Sequence, residues 1–257
     1  MRFLRPGYIL GRIFSSEVVC MGELITELKN NLSFVLISGL IAVLLAVAAK
    51  LAERFLPEFR KVSKTRYITI VSVCSAIAAV LHIMDFPLPF LAPGFYKLDL
   101  SELPVMLCGF YLGPTGAVAC EAVKILLKLL LKGTSTAFVG DFANFVVGCS
   151  LVLPAAVIYH IRRTRATAIW GLVIGTIVLT VFGSLFNGIY LIPKFSQLFG
   201  LPLDAIIDMG NAINSGIRNI STFVLLAVVP LNLIKGVGIS VLTMLLYKRI
   251  ARPLFGK

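Results

Sequence analysis

The sequence predicts an all-α integral membrane protein of six transmembrane helices preceded by one extra N-terminal helix. Three observations carry this. Of 257 residues, 58% are hydrophobic and only 14% charged, against roughly 45–50% and about 25% in a soluble domain. The apolar residues fall in runs near the length of about 20 that a hydrocarbon core about 30 Å thick demands. The basic residues gather beside those runs at alternate loops, which fixes an orientation. A sizeable water-soluble second domain is excluded.

Residues 1–31 form an N-terminal extension. It lacks a continuous apolar core and a small-residue cleavage site, so a secretory signal is not expected, and Met21 is a candidate start. The extra helix spans residues 32–56, around the run Leu32–Ala52. The six-helix unit, residues 66–250, follows with apolar segments Tyr67–Met84, Leu103–Leu112, Thr115–Leu131, Phe138–Tyr159, Ala168–Ile192 and Thr222–Tyr247. The second is too short to span upright, but Gly113-Pro114 offers a tight turn and a tilted short helix suffices. Residues 251–257 form a tail.

Thirteen Lys and Arg (Lys50 to Arg66, Arg162 to Arg165 and the tail) lie on one side of this arrangement. Only Lys97, Lys132, Lys194 and Arg218 lie on the other. The basic side is cytoplasmic by the positive-inside rule, and the C-terminus with it. The formal charge of +12 therefore serves topology and not nucleic acid, since no polar basic face exists. Of Cys20, Cys74, Cys108, Cys120 and Cys149, four sit in apolar runs as small hydrophobes, and two histidines are too few for a His-based metal site.

The outer connections Asp85–Glu102, Lys132–Ala137 and Pro193–Ser221 remain. The first, rich in Pro and Phe, reads as a stiff apolar segment, either a lid over a pocket or an interfacial loop. Asp99 is expected to cap the helix beginning near Leu103.

No GxxxxGK[ST] phosphate loop, HExxH or GxSxG motif is present, so neither ATP hydrolysis nor other enzyme chemistry is expected. Polar residues inside the spans are then the functional candidates. Asn232 and Lys235 stand at i and i+3, on one face of the last span. Lys235 lies about thirteen residues, roughly 20 Å, from Lys248 and so in the outer half of the membrane. An amide with donor and acceptor beside an ammonium suits the edge of a planar heterocycle bearing carbonyls and an N–H. Snorkelling is the alternative for Lys235. Asn187, near the outer end of the fifth span, is either ligand contact or interhelical glue. Lys124, Lys128 and Glu121 read as local pairing, and Asp141 as a partner of its helix N-terminus. Ser72, Ser75, Ala76 and Ala79 recur at helical spacing in the first core span, permitting internal packing or docking of another membrane protein.

The run Phe86-Pro-Leu-Pro-Phe90, Lys97-Leu-Asp-Leu-Ser-Glu-Leu-Pro104, Gly113-Pro114, Lys124, Gly140-Asp-Phe-Ala-Asn-Phe145, Asn187, Leu191-Ile-Pro193 and Val229-Pro-Leu-Asn-Leu-Ile-Lys-Gly236 resembles the riboflavin-specific substrate-binding (S) component of energy-coupling factor (ECF) transporters, over residues 66–250. The resemblance implies a six-helix fold binding riboflavin, or its phosphate FMN, near the outer surface. It also implies uptake driven by a transmembrane scaffold and two ABC-type ATPases. Riboflavin is cargo there, and no cofactor is expected. Asn187, Asn232 and Lys235 would read the isoalloxazine edge, with backbone contacts from Lys97 and Leu98 and from the turn Gly133, Thr134 and Ser135. Ser72, Ser75, Ala76 and Ala79 would face the scaffold. An S component for thiamine, biotin or folate, or a stand-alone secondary transporter, is the rival reading; the latter predicts internal repeats that are not evident.

Overall fold

A computed structural model describes residues 32–56, 62–134 and 136–255, without side chains for Phe199 and 248–255. The N-terminal extension, Cys20, Met21 and Ser135 fall outside these residues. Ten α-helices are described: α1 (Leu32–Arg54), α2 (Lys64–Ile83), α3 (Glu102–Leu112), α4 (Pro114–Lys132), α5 (Val139–Arg162), α6 (Arg165–Phe186), α7 (Ile192–Phe199), α8 (Leu203–Asn211), α9 (Ile220–Phe223) and α10 (Val229–Phe255). A two-residue hairpin between α2 and α3 pairs Phe86 with Leu98 and Pro87 with Lys97.

Five helical stretches among the described residues are long and apolar enough to cross a membrane; α3 is shorter, as the sequence predicts, and α4, which carries Glu121, Lys124, Lys128 and Lys132, is not among the five. Their outward faces are rows of aliphatic side chains: Leu36, Leu40 and Val43 on α1, Val173, Ile177 and Val181 on α6, and Leu233, Val237 and Val241 on α10. Such rows suit hydrocarbon, where backbone groups are satisfied within each helix.

Tight turns sit at the basic end of the bundle. Gly113, at φ 103°, lets the chain reverse from α3 into α4, whose first residue is Pro114; only glycine adopts that φ without strain. The Glu53 carboxylate at the foot of α1 accepts from the Thr115 amide and hydroxyl at this same N-terminus, a favourable place for negative charge. Thr164 and Thr167 form a reciprocal cap at the start of α6. Above it α5 and α6 nearly touch: a Cβ on Gly171 or Gly175 would lie 2.7 or 2.6 Å from the carbonyl oxygens of Ala155 and Leu151. Small residues four apart allow such backbone approach.

The opposite end differs from expectation. The fifth span does not stop at Ile192, and 193–221 is not an open loop. Residues Asn187–Leu191 form a π-helical turn, Ile192 N–H bonding to Asn187 C=O, and the helix runs on into α7. Residues Val224–Val228 form a second, ahead of α10. Each is followed at its second residue by a proline, Pro193 and Pro230. A proline lacks the amide donor and crowds the carbonyl four residues earlier; a widened turn just before it absorbs both effects and lets the helix continue. The remaining connection folds as α8 and α9, burying Ile206, Ile217 and Phe223 against Ala92 and Tyr96 of the α2–α3 segment.

Candidate functional site

A cavity of about 220 Å³ opens at this end. Its lining includes aromatic and aliphatic side chains, among them Phe95, Val147, Leu191, Phe195 and Leu231, and polar ones, among them His82, Asp99, Asn144, Asn187, Asn232 and Lys235. Apolar side chains with convergent polar groups are the usual form of a small-molecule site, and the first π turn, a frequent feature of such sites, contributes Asn187 and Leu191 to the lining.

Asn187 opens the first π turn. Its Nδ2 donates to Gly183 C=O at 2.7 Å and its Oδ1 accepts from the Tyr96 hydroxyl at 3.0 Å, so the α2–α3 segment is tied to α6 across the cavity. Burial pushes the Tyr96 hydroxyl well above its usual pKa, keeping it protonated and a donor. Asn232 donates weakly to Ser184 Oγ, 3.3 Å away, and its amide packs on Gly183, where a Cβ would come within 3.0 Å of Nδ2. Its Oδ1 is engaged by no described residue.

Lys235 is less free than the sequence suggests. Its Nζ lies 3.2 Å from Asp99 Oδ2 and 3.0 Å from Glu102 Oε1, which leaves one N–H for a ligand. Asp99 is not the cap of α3 that the sequence suggests, because Ser101 occupies that position, with no side-chain cap bond. Asp99 Oδ1 accepts from Ser101 N–H at 2.8 Å, and Oδ2 faces Lys235. Burial alone would raise the Asp99 carboxyl; the Lys235 ammonium, with His82 beside it, outweighs that and holds it well below the ordinary carboxylate range.

Glu102 reaches further. The same Oε1 lies 3.4 Å from Lys124 Nζ, a completely buried ammonium that also pairs with Glu121 and bonds Ser101 Oγ. Local pairing is thus the role of Lys124 and Glu121. Lys128 bonds Asp141 Oδ1 at 2.6 Å and Gly133 C=O at 3.0 Å, joining α4 to the start of α5.

The loop residues split. Lys97 lines the mouth, bonded to Asp85. Leu98 is buried in the hairpin and does not line the cavity; Gly133 has its carbonyl occupied by Lys128, and Thr134 Oγ1 accepts from Phe138 N–H at 3.0 Å to shape the turn. None of these three is among the residues that line the cavity. The small-residue stripe on α2 also divides. Ser72 and Ala76 are exposed, whereas Ser75 and Ala79 are buried, Ser75 donating to Cys120 C=O. Two of the four expected partner-facing residues are therefore internal packing against α4. Tyr96, Phe95 and His82 carry no sequence signal beyond lying in or next to the Pro-rich segment.

Residues 66–247 match the family of ECF transporter substrate-specific components. The chain belongs to that family. It is 39% identical over 186 residues to the riboflavin transporter RibU of Staphylococcus aureus (strain TCH60), covering 72% of this chain and 90% of that protein. It is 29% identical over 188 residues to the riboflavin transporter FmnP of Bacillus subtilis (strain 168), covering 73% and 93%. A solved S component of a bacterial ECF transporter superposes with a TM-score of 0.58 at 35% identity, covering 75% of this chain and 99% of that one. As an S component the chain is a multi-pass membrane transport subunit and not an enzyme. Helix α1 lies outside the matched residues.

Proposed function

We propose that this S component binds riboflavin in the cavity and delivers it for uptake as the substrate-specific subunit of an ATP-driven ECF transporter. The observation that carries the reading is the meeting of Asn187, Asn232 and Lys235 in the lining of one cavity that also presents Phe95, Leu191, Phe195 and Leu231. A flat ring packs on the aromatic and aliphatic side chains, and the amides and ammonium read its polar edge. Residues 66–250 are the vitamin-binding unit, with residues 1–31 an extension, 32–56 an accessory helix and 251–257 a tail. The cavity faces outward across the bacterial plasma membrane, with the basic end and the C-terminus in the cytoplasm. A transmembrane scaffold docks along α2, with Ser72 and Ala76 in the contact, and two ABC-type ATPases supply the energy that this chain cannot.

The test is the absorption spectrum and mass of the small molecule released when the detergent-purified protein is denatured. A flavin spectrum is expected; a thiamine, biotin or folate mass overturns the choice of vitamin. Lys97 and Lys132 share the single carboxylate of Asp85 at the mouth, an excess of positive charge that favours FMN as a second ligand. Titrating both flavins separates them.

A further inference from the structure

Helix α2 ends in the cavity wall, and its last turn carries His82. The residue is only 6% exposed. Its Nδ1 stands 3.4 Å from Asp99 Oδ2, long for a hydrogen bond but well within the field of a carboxylate that Lys235 keeps ionised. A carboxylate accepts and cannot donate, so it assigns the imidazole proton to Nδ1. Nε2 then carries a lone pair. Nδ1 is sealed from water, whereas Nε2 is open to the cavity and no described residue donates to it.

The neighbours make that lone pair conspicuous. Asp99 has its two oxygens engaged by Ser101 N–H and Lys235, Glu102 Oε1 is engaged by two lysines, and Asn187 Oδ1 holds the Tyr96 hydroxyl. Among the lining residues, His82 Nε2 and Asn232 Oδ1 are engaged by no described donor, and Asp141 Oδ2 is likewise unpartnered. A ligand with its own N–H or O–H, buried in the cavity, needs such acceptors or leaves a donor unsatisfied.

We infer that His82 is a ligand-binding residue whose Nε2 accepts a hydrogen bond from an N–H or O–H of the bound molecule, with Asp99 fixing the tautomer. This rests on the vitamin reading above. A flavin carries both kinds of donor, the single imide N–H of its ring edge and the hydroxyls of its ribityl chain.

The experiment is a fluorescence titration of purified protein with riboflavin, comparing wild type, His82→Phe and His82→Gln, with ligand-free melting temperatures to follow the fold. His82→Phe keeps a ring without an acceptor and is expected to weaken binding about tenfold or more. His82→Gln brings an amide oxygen to the place of Nε2 and is expected to stay within about threefold of wild type. Repeating the titrations with 3-methylriboflavin and with lumiflavin identifies the donor. The penalty of His82→Phe vanishes with the first if the imide N–H is the partner, and with the second if a ribityl hydroxyl is. A penalty undiminished with both analogues, or equal for Phe and Gln, marks ring packing and overturns the inference. Full affinity in His82→Phe alongside lost affinity in Asn232→Ala overturns it while leaving the vitamin site standing. Failure of the wild type to bind riboflavin overturns the vitamin reading itself.

Discussion

Lys124 and Lys235 share one carboxylate oxygen, Glu102 Oε1, yet live in different surroundings. Lys124 is sealed inside the bundle among Glu102, Glu121 and Ser101. Lys235 pairs with Glu102 and Asp99 but lines the cavity, its side chain 11% exposed. An ionisable residue in a membrane segment is by default a functional candidate. The contrast shows that the charge does not decide the matter; an adjoining void does. Lys124 holds α3 and α4 together, while Lys235 turns the same kind of ion pair toward a space that a ligand can enter.

The strongest way to break the comparison is to remove the sealed member. Lys124→Met leaves Glu102 and Glu121 buried without their cation, and losing one partner of such a pair costs about 3–5 kcal/mol. A large fall in the melting temperature of the detergent-purified protein is expected, with any surviving folded fraction still binding ligand. A variant as stable as wild type would show that the cluster carries its negative charge without Lys124.

Lys235→Met is expected to act the other way round. Water and ligand reach its site, so stability falls less than in Lys124→Met, and riboflavin affinity drops by about 1–3 kcal/mol, the usual cost of an unmet buried polar group. Titration calorimetry beside thermal unfolding separates the two quantities. If both variants lose stability alike and neither changes affinity, the distinction between the two lysines fails.

Much of this was legible in the sequence, and the remainder was not for identifiable reasons. Helix positions follow from the lengths of apolar runs, a local signal. Asn232 and Lys235 stand out because polar residues are rare in such runs. Their partners do not: Asp99 lies 136 positions from Lys235, and no periodicity reports a contact over that distance. His82 sits in an apolar run where one imidazole looks incidental. Ser72, Ser75, Ala76 and Ala79 share helical spacing, but a helix apolar on every side does not announce which face turns inward; Ser75, Ala79 and His82 do, Ser72 and Ala76 do not. The continuation of α6 through Pro193 was hidden because a proline normally marks an end, and the π turn that accommodates it has no simple sequence signature.

A milder change sharpens the comparison at the cavity. Tyr96→Phe removes the hydroxyl that holds Asn187 Oδ1 and leaves the ring packing intact. Loss of one such bond costs about 0.5–1.5 kcal/mol, and the effect is expected mainly on riboflavin affinity, since the freed amide is no longer held in one orientation. A fluorescence titration reads it; an effect as large as that of Lys235→Met would mean that the loop, and not the ammonium, dominates binding.

The smallest effect expected is that of mild acid on the Asp99–Lys235 pair. The Asp99 carboxyl is held well below its unfolded value of 3.8. A group lowered in this way contributes its full stabilisation above the unfolded value and loses it only as pH falls through the folded one. Between pH 7 and pH 5 its contribution is therefore constant. Measured as the melting-temperature difference between wild type and Asp99→Asn at the two pH values, the gap is expected to stay the same. A gap already shrinking at pH 5 would mean that Lys235 does not hold the carboxylate ionised, and the open end of the charge cluster would then be built on a weaker pair than its geometry implies.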